Sequence, residues 1–369
     1  MTVMIAAGGT GGHLYPAVAL AREFLRRDPA TKILFVGTKR GLESKVLAHE
    51  GFELALITAK PVMGKGPVAV LKGLLSLPIG LWQSLALLGG YGVDLVIGVG
   101  GYTSPAVLAA AALRGTPRVI VEPNAHPGMA NRAVAPFAQR IFLAFESAAG
   151  RFDRKKVRVT GTPIRREFLS PNNGHETVFP HSPPRLLIFG GSQGARAINS
   201  AVLEGLPLLV KRIPDVAITH QTGETDYRRV RDGYERSAVR AEVVPFLYDM
   251  PTALRRADLV VARAGAMTIA ELTACGKPAI LIPLPTAIYD HQMKNARAME
   301  EAGGAIVLPQ AELTGLRLSE SIVAVLSDRE RLRTMAAKSR AMRRIDASEV
   351  IVRECYALVG EADDGDGVV

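Results

Sequence analysis

Two segments, each with an apolar strand pattern, a glycine-rich turn and a helical pattern, constrain the fold most. The first has its strand at residues 3–7, followed by the loop GGTGGH of residues 8–13. The second has its strand at residues 186–189, followed by the loop GGSQG of residues 190–194. In each, backbone N–H groups and the positive end of a helix dipole point at one spot, which suits a phosphate. We therefore predict an α/β protein of two doubly wound, Rossmann-like domains facing a cleft.

The alternation of strand and helix patterns along both halves predicts mainly parallel sheets, with ligand loops at the carboxyl ends of the strands. A chain of 369 residues is too long for one compact core. We predict a first domain over residues 1–163, a second over 164–340, a helix over 341–360 that returns to the first domain, and a disordered acidic tail over 361–369. The Pro-, Ser- and Asn-rich residues 170–184 are predicted to form an exposed linker.

Composition and charge narrow the class of protein. Hydrophobic residues make up 48% and charged residues 22%, which is typical of a soluble α/β protein. Cys275 and Cys355 form no CxxC pair, so a disulfide framework and a structural zinc site are not supported. The apolar residues 3–7 are predicted to be a strand and not a signal peptide.

Residues 1–163 carry 19 Lys and Arg against 9 Asp and Glu, which accounts for the whole net charge of +10. This half is predicted to meet an anionic membrane or a phosphorylated substrate rather than nucleic acid.

One apolar stretch, residues 68–88, has the hydropathy of a possible membrane segment. A span needs about 20 predominantly apolar residues, and this stretch is interrupted by Pro78, Gly80 and Gln83. We therefore predict no span. Two alternatives stay open, a buried helix and a segment that lies in the bilayer surface. In the second alternative, apolar Leu74, Leu75, Ile79 and Trp82 enter the bilayer beside basic Lys60, Lys65 and Lys72.

A third loop, RAGAMT at residues 263–268, again separates a strand pattern from a helical one. Glu271 on that helix could accept hydrogen bonds from both hydroxyls of a ribose whose diphosphate meets the helix N-terminus. Gln292 and Asn295, three residues apart, carry neutral amides that suit sugar hydroxyls. The alternative for Glu271 is a carboxylate on the helix surface, and the alternative for Gln292 and Asn295 is a segment that caps a helix. No loop matches GxGxxG or GxxxxGK[ST], which disfavours a dehydrogenase or a P-loop NTPase.

Histidines and acidic residues supply the candidates for proton transfer. His13 ends the first glycine loop, where a general base could lie. His126 and His291 are weaker candidates for the same role. The sequence has no HExxH or other metal-ligand cluster, and its one DxD-like string, Asp364-Gly365-Asp366, falls in the tail.

Seven segments in order resemble the MurG family, the N-acetylglucosaminyltransferases of bacterial peptidoglycan synthesis. They are GGTGGH at 8–13, GGY at 100–102, EPN at 122–124, GTPIR at 161–165, GGSQGAR at 190–196, RAGAMTIAE at 263–271, and DHQ at 290–292 with Asn295. Residues 345–347 resemble the family's late helix. The chain departs from the family at Pro123, where Gln is usual, and at Pro105-Ala106, where Gly-Pro is usual.

The resemblance implies a GT-B fold and an inverting hexosyltransferase that needs no metal or other cofactor. It implies transfer of GlcNAc from UDP-GlcNAc to the 4-hydroxyl of MurNAc in undecaprenyl-pyrophosphoryl-MurNAc-pentapeptide (lipid I), which gives lipid II. The expected partners are UDP-GlcNAc, lipid I, the anionic membrane surface and other cell-wall synthesis proteins, with no nucleic acid. The expected location is the cytoplasmic face of the cell membrane, as a peripheral protein. The first domain would hold the acceptor and face the membrane, and the second would hold UDP-GlcNAc.

Residue by residue, the resemblance implies two sets of contacts and a base. The donor set is Thr10, Gly11, Gly12, Asn124, Arg165, Ser192, Leu247, Ala266, Met267, Thr268, Ile269, Ala270, Glu271, Gln292 and Asn295. The acceptor set is Thr10, Gly11, Gly12, His13, Tyr102 and Asn124. His13 is the first choice of base and Glu122 the second. The membrane-facing set is Lys65, Lys72, Leu75, Ile79 and Trp82. The alternatives are a glycosyltransferase acting on diacylglycerol, a UDP-GlcNAc epimerase, and a non-catalytic nucleotide-sugar-binding module.

Overall fold

The computed structural model describes residues 1–360 apart from 9–10, 40–42, 61–66, 170–179, 192, 238 and 286–289, and leaves out the side chains of 45 and 67–75. The chain divides into two compact units. The first combines Met1–Arg165 with the described residues from Ile345 onward, and the second is Arg166–Arg344. The boundaries expected from sequence, 163/164 and 340/341, fall a few residues before these divisions. Residues 170–179 of the predicted linker and the tail 361–369 lie outside the described residues. The rest of the linker is not fully exposed, since Pro180 is buried and the His181 N–H donates to the Asp258 Oδ1 at 2.9 Å.

The first unit is a parallel sheet with helices on both faces. Its elements are β1 (Thr2–Ala7), α1 (Gly11–Arg27), β2 (Lys32–Gly37), α2 (Glu43–Glu50), β3 (Glu53–Leu56), α3 (Pro67–Gly90), β4 (Leu95–Gly100), α4 (Ser104–Arg114), β5 (Arg118–Glu122), α5 (Met129–Val134), β6 (Arg140–Leu143) and β7 (Val157–Val159). The strand order is β3-β2-β1-β4-β5-β6-β7. All neighbouring strands are parallel. Alternate residues of β1 enter two cores, since Val3 and Ile5 pack with α1 and Met4 and Ala6 pack with α4.

The second unit repeats this architecture. Its elements are β8 (Arg185–Phe189), α6 (Arg196–Arg212), β9 (Ala217–Gln221), α7 (Tyr227–Arg236), β10 (Ala241–Val244), α8 (Met250–Arg256), β11 (Leu259–Ala262), α9 (Ala266–Ala274), β12 (Ala279–Leu281), α10 (His291–Glu301), β13 (Ala305–Val307), α11 (Gly315–Leu326) and α12 (Arg329–Ala341). The order β10-β9-β8-β11-β12-β13 again reverses direction beside the first strand of the unit. In such sheets ligands bind outside the carboxyl ends of the strands near this reversal.

The last helix, α13 (Ala347–Val359), belongs to the first unit. Its apolar face joins the core that α1 covers, and the rings of Phe24 and Tyr356 lie 5.9 Å apart. The Tyr356 hydroxyl also lies 3.3 Å from the Thr31 hydroxyl. The carboxyl-terminal part of the described chain thus consists of three helices, α11, α12 and α13. The break before α12 is marked by Asp328, whose carboxylate accepts from the Glu330 and Arg331 N–H groups.

Local predictions in the first unit need three corrections. β6 and β7 were not expected from the sequence. His13 is the third residue of α1 and not the end of a loop. The dipeptide Ser104-Pro105 predicts Ser104 as the N-cap of α4, but Thr103 occupies that position and the Ser104 hydroxyl contacts Gly100. The sequence also predicts that Gly115 ends α4, and its left-handed backbone, with φ of 73°, confirms this.

Helix α3 packs one side on the core of the first unit and leaves two large apolar side chains exposed. Leu88 is buried in that core, and the buried Ser84 hydroxyl donates to the Gly80 carbonyl at 2.7 Å. The Gln83 Oε1 accepts from the Thr58 N–H at 2.6 Å. Ile79 is 51% and Trp82 71% exposed. None of the described helices is long and apolar enough to cross a bilayer.

Candidate active site

In the first unit, the loops that follow β1 and β4 lie against each other. A Cβ on Gly101 would lie 2.0 Å from the Gly8 carbonyl oxygen, and the φ of Gly101 is 81°, so only glycine fits there. The Ser104 hydroxyl accepts from the Gly100 N–H at 3.1 Å and reaches the Ala6 carbonyl at 3.0 Å. These contacts hold the backbone at the carboxyl edge of the sheet in one conformation, beside the start of α1.

His13 lies at this edge, with its ring against Gly100. A Cβ on Gly100 would lie 2.8 Å from the His13 Cδ2 and 2.9 Å from its Nε2. The residue lies in the first turn of α1. A general base for the acceptor hydroxyl needs a ring nitrogen that can accept a proton. The role of His13 as base stays a prediction.

Glu122, the second candidate for the base, is held by four N–H donors. Its Oε1 accepts from the backbone and side-chain amides of Asn124 at 3.0 and 3.1 Å. Its Oε2 accepts from the Gly128 N–H and the Asn131 Nδ2, both at 2.9 Å. Burial raises the pKa of the Glu122 carboxyl, while these four hydrogen bonds act to lower it. With 1% of its surface exposed, Glu122 is arranged to position the 123–128 loop, and its role as base stays a prediction.

Other predicted acceptor-side residues are distributed around this edge. Asn124 is half-buried and oriented by Glu122. The Tyr102 hydroxyl lies 3.3 Å from the Thr38 hydroxyl, which fixes its ring. Arg165, which was predicted as a donor contact in the second domain, belongs to this unit, with its guanidinium 5.5 Å from the centre of the Tyr15 ring on α1. Gly11 and Gly12 form the first two residues of α1, and Thr10 lies outside the described residues.

In the second unit, the glycine loop after β8 packs against the loop after β9. A Cβ on Gly194 would lie 1.9 Å from the Thr222 carbonyl oxygen, and a Cβ on Gly223 would lie 2.2 Å from the Gln193 carbonyl oxygen. The Gln221 Nε2 donates to the Gly191 carbonyl at 2.8 Å. The β9 loop is therefore the surface on which the glycine loop rests. The predicted donor residue Ser192 falls outside the described residues.

The N-terminus of α9 is the candidate diphosphate site in this unit. Its N-cap is Gly265, which has no side chain to cap the first turn, and N–H groups at a helix N-terminus suit an anion. The predicted residues from 266 to 271 all lie on α9. Ala266, Met267 and Ile269 have buried side chains, so a ligand would meet them through the backbone. Thr268, Ala270 and Glu271 are half-buried.

The two amides predicted for sugar recognition differ in their surroundings. Asn295 is fully buried, and its Nδ2 donates to the Ala264 carbonyl at 3.2 Å, so it anchors the β11 loop. Gln292 is half-buried, and its Oε1 accepts from the Leu284 N–H at 3.0 Å, which directs its amide nitrogen elsewhere. Leu247 is half-buried between two exposed aromatic residues, Phe246 and Tyr248.

Several buried polar residues that organise these loops are not among the predicted site residues. Arg263 donates to the Ile282 and Pro283 carbonyls at 3.1 and 3.2 Å, and to the Gln310 Oε1 at 2.6 Å. It thereby ties together the loops after β11, β12 and β13, and burial lowers the pKa of its guanidinium. Others missed are Asn131, Asn199, His220 and Tyr234. The sequence offered a signal only for Arg263, a charged residue directly after the apolar strand β11.

Both units match known sequence domains. Residues 3–143 match the glycosyltransferase family 28 N-terminal domain, and residues 185–351 match the glycosyltransferase family 28 C-terminal domain. The two parallel α/β units share one strand order, to which the first unit adds β7 at one edge. The chain is a GT-B glycosyltransferase, and the predicted fold class is confirmed.

Full-length relatives define the family more closely. A relative from Syntrophus aciditrophicus, named UDP-N-acetylglucosamine--N-acetylmuramyl-(pentapeptide) pyrophosphoryl-undecaprenol N-acetylglucosamine transferase, is 45% identical over 358 residues, which cover 97% of this chain and 98% of the relative. A relative of the same name from Myxococcus xanthus is 43% identical, covering 97% and 93%. The crystal structure of MurG from Acinetobacter baumannii matches with a TM-score of 0.77 at 28% identity, covering 96% and 99%. The chain belongs to the MurG family, as the sequence resemblance predicted.

More distant structures share the fold alone. The UDP-GlcNAc 2-epimerase from Neisseria meningitidis, crystallised with UDP-GlcNAc, matches with a TM-score of 0.66 at 16% identity, covering 96% of this chain and 99% of its own. Because sequence identity is this low, the match supports the architecture and does not carry the epimerase activity to this chain.

Proposed function

We propose that this chain transfers GlcNAc from UDP-GlcNAc to the 4-hydroxyl of MurNAc in undecaprenyl-pyrophosphoryl-MurNAc-pentapeptide, giving lipid II with inversion from the α to the β anomer. The observation that carries the proposal is the match to relatives named for this transfer, at 43 to 45% identity over 97% of the chain. The matched region includes all three glycine-containing loops and the helices that follow them.

The second unit binds the donor in this proposal. The N–H groups of the first turn of α9 receive the diphosphate, and Glu271 accepts from the ribose hydroxyls. Gln292 offers its amide nitrogen to a hydroxyl or carbonyl oxygen of GlcNAc, since its Oε1 is already bonded to Leu284. Ser192, Leu247 and the remaining predicted donor residues, including Arg165, stay predictions that substitutions can test.

The first unit binds the acceptor and supplies the base. His13 takes the proton of the MurNAc 4-hydroxyl as its oxygen attacks C1 of GlcNAc. The bond between C1 and the diphosphate oxygen breaks, and the electron pair leaves with UDP. Attack from the face opposite UDP gives the β linkage. Glu122 orients Asn124 and the surrounding loop, and Tyr102 and Asn124 contact the acceptor.

No metal is required in this proposal, because the charge that develops on UDP is met by backbone N–H groups and the α9 dipole. We therefore expect the transfer activity to persist when EDTA removes divalent cations. A requirement for a divalent cation would show that the charge needs further neutralisation.

We further propose that the chain works at the cytoplasmic face of the cell membrane as a peripheral protein. Helix α3 supports this, since it turns Gly80, Gln83 and Ser84 toward the protein and leaves Ile79 and Trp82 exposed. Exposed apolar side chains suit a bilayer surface, and the net positive charge of residues 1–163 suits an anionic one. Lys65 falls outside the described residues, as do the side chains of Lys72 and Leu75, and all three keep their predicted membrane-facing role.

The experiment supplies radiolabelled UDP-GlcNAc, with EDTA, to three parallel reactions. One contains a short-chain lipid I analogue, one contains diacylglycerol, and one contains no acceptor. The proposal expects label in the lipid I analogue alone. Label in diacylglycerol would favour the rival lipid glycosyltransferase, and an epimerised donor without acceptor would favour the epimerase.

A further inference from the structure

A chain of buried hydrogen bonds runs beneath the glycine loop of the second unit. His220, in β9, is fully buried. Its Nδ1 lies 3.1 Å from the Tyr234 hydroxyl on α7, and its Nε2 lies 3.1 Å from the Asn199 Oδ1 on α6. The three side chains come from three elements, so the chain fixes α6 and α7 relative to the sheet. None of the three is among the residues that the sequence resemblance pointed to.

The partners of Asn199 set the direction of every bond in this chain. Its Nδ2 donates to the Thr222 carbonyl at 3.0 Å and to the Asp226 Oδ2 at 2.8 Å. The Oδ1 therefore faces His220, and because an amide oxygen only accepts, the His220 Nε2 must carry the hydrogen. The His220 Nδ1 is then an acceptor, and the Tyr234 hydroxyl donates to it. One imidazole tautomer satisfies all of these contacts.

The charged groups of this hydrogen-bond network lie at its Asp226 end. Arg229 donates to both carboxylate oxygens of Asp226 at 2.7 Å, and these bonds lower the pKa of Asp226. Burial lowers the pKa of His220 to about 3, so the imidazole is neutral at any pH at which the enzyme would work. The imidazole consequently acts as a fixed donor and acceptor and not as a proton carrier.

The Thr222 carbonyl that Asn199 holds is the same atom that contacts the glycine loop. A Cβ on Gly194 would lie 1.9 Å from it, so the loop and this carbonyl touch with no space between them. A second hydrogen bond reaches the same loop from Gln221, the residue after His220 on β9, whose Nε2 donates to the Gly191 carbonyl. A displacement of the Thr222 peptide would therefore displace the glycine loop that follows β8.

We propose that His220 is a positioning residue of the donor site: its single tautomer orients the Asn199 amide, which holds the loop of residues 222–226 against the glycine loop after β8. This loop borders the diphosphate site at α9, because β8 pairs with β11, the strand before α9. The inference rests on the proposed function, in that the second unit binds the nucleotide sugar. His220 touches neither substrate nor reacting atom.

The test compares four proteins by the dissociation constant of UDP and by steady-state kinetics. His220→Phe keeps a flat ring but removes the donor to Asn199, and His220→Gln can restore both an acceptor and a donor. Ser319→Ala is the matched control, since it removes a buried hydrogen bond to the Gly205 carbonyl in the same unit, away from the loop. UDP binding is read by calorimetry, so it does not depend on transfer.

We expect His220→Phe to weaken UDP binding and raise the KM for UDP-GlcNAc by roughly tenfold to a hundredfold, the scale of a misplaced binding group. The KM for the acceptor should change less than twofold, and His220→Gln should recover most of the donor affinity. A donor effect no larger than that of Ser319→Ala, or equal effects on both substrates, would overturn the inference. An inactive wild type that still binds UDP would instead count against the proposed function.

A measurement on the wild-type chain covers the case in which His220→Phe does not fold. With ¹⁵N-labelled histidine, the His220 ring should show a protonated Nε2 and an unprotonated Nδ1, with no titration near the ordinary histidine pKa. Tyr234→Phe, which removes the donor to Nδ1, identifies the signal by shifting it. A protonated Nδ1, or titration near pH 6.5, would overturn the inference.

Discussion

Replacing Glu122 with glutamine tests whether this residue positions a loop or transfers a proton. The four donors divide evenly, two on Oε1 and two on Oε2. A glutamine has one oxygen and one NH₂ group, so whichever way the amide turns, two N–H donors face another donor. The substitution keeps the shape and volume of the side chain. Its effect is therefore confined to hydrogen bonding and charge.

The magnitude follows from the two lost bonds. Hydrogen bonds to a charged group contribute about 1.5 to 3 kcal/mol each, so two account for about 3 to 6 kcal/mol. A neutral amide costs less to bury than a carboxylate, which places the expected loss at the lower end, about 3 kcal/mol. Since 1.4 kcal/mol is a factor of ten, local opening should become about 100-fold more frequent.

Hydrogen exchange gives a local readout, which is preferable because the two units need not unfold together. In Glu122→Gln, the amides of Asn124 and Gly128 should exchange about 100-fold faster than in the wild type, consistent with the loss worked out above. Glu53→Gln is the control, since Glu53 is exposed and its one described bond, from the Tyr91 hydroxyl, can be retained. Unchanged exchange together with abolished turnover would refute the reasoning and make Glu122 the base.

Three further predictions concern the base, the membrane and pH. His13→Ala should lower turnover by about 10²- to 10⁴-fold, the contribution of a general base, with UDP binding by calorimetry unchanged; near-normal turnover would remove His13 from the role. Replacing both Ile79 and Trp82 with serine should reduce co-sedimentation with anionic vesicles without altering UDP binding, and undiminished sedimentation would contradict the α3 assignment. Burial lowers the pKa of Lys277 to about 8 from 10.5, so the unfolded chain binds the extra proton between these values. Wild-type unfolding free energy should therefore rise from pH 8 to 10.5 by up to about 3 kcal/mol relative to Lys277→Met, and parallel urea-unfolding curves for the two proteins would refute this.

Local features of the fold could be predicted because they depend on neighbouring residues. The buried strands β8 and β11 read as apolar runs, and the ends of helices α4 and α9 are marked by Gly115 and Gly276. The strand β7 was missed because it has three residues, Val157–Val159, and lies in a basic stretch without an apolar pattern of its own. Short edge strands carry too little periodicity to separate them from loops.

The site could be predicted only in part, because its organisation depends on pairs that are distant in sequence. Glycine loops and the α9 start were visible as local patterns. His220 and Asn199 are 21 residues apart, and their contact follows from how α6 crosses β9. Asn295 was recognisable in the sequence as a candidate amide, but its complete burial against Ala264 follows from packing and has no local signal.

The most direct test of the account is the anomeric configuration of the product. The wild-type protein is incubated with UDP-GlcNAc and the lipid I analogue in EDTA, the disaccharide is released, and the coupling between H1 and H2 of GlcNAc is measured by NMR. A large, diaxial coupling would show a β-linked GlcNAc on MurNAc, which the proposed inverting transfer predicts. A small coupling, from an α linkage, or no disaccharide at all, would contradict it.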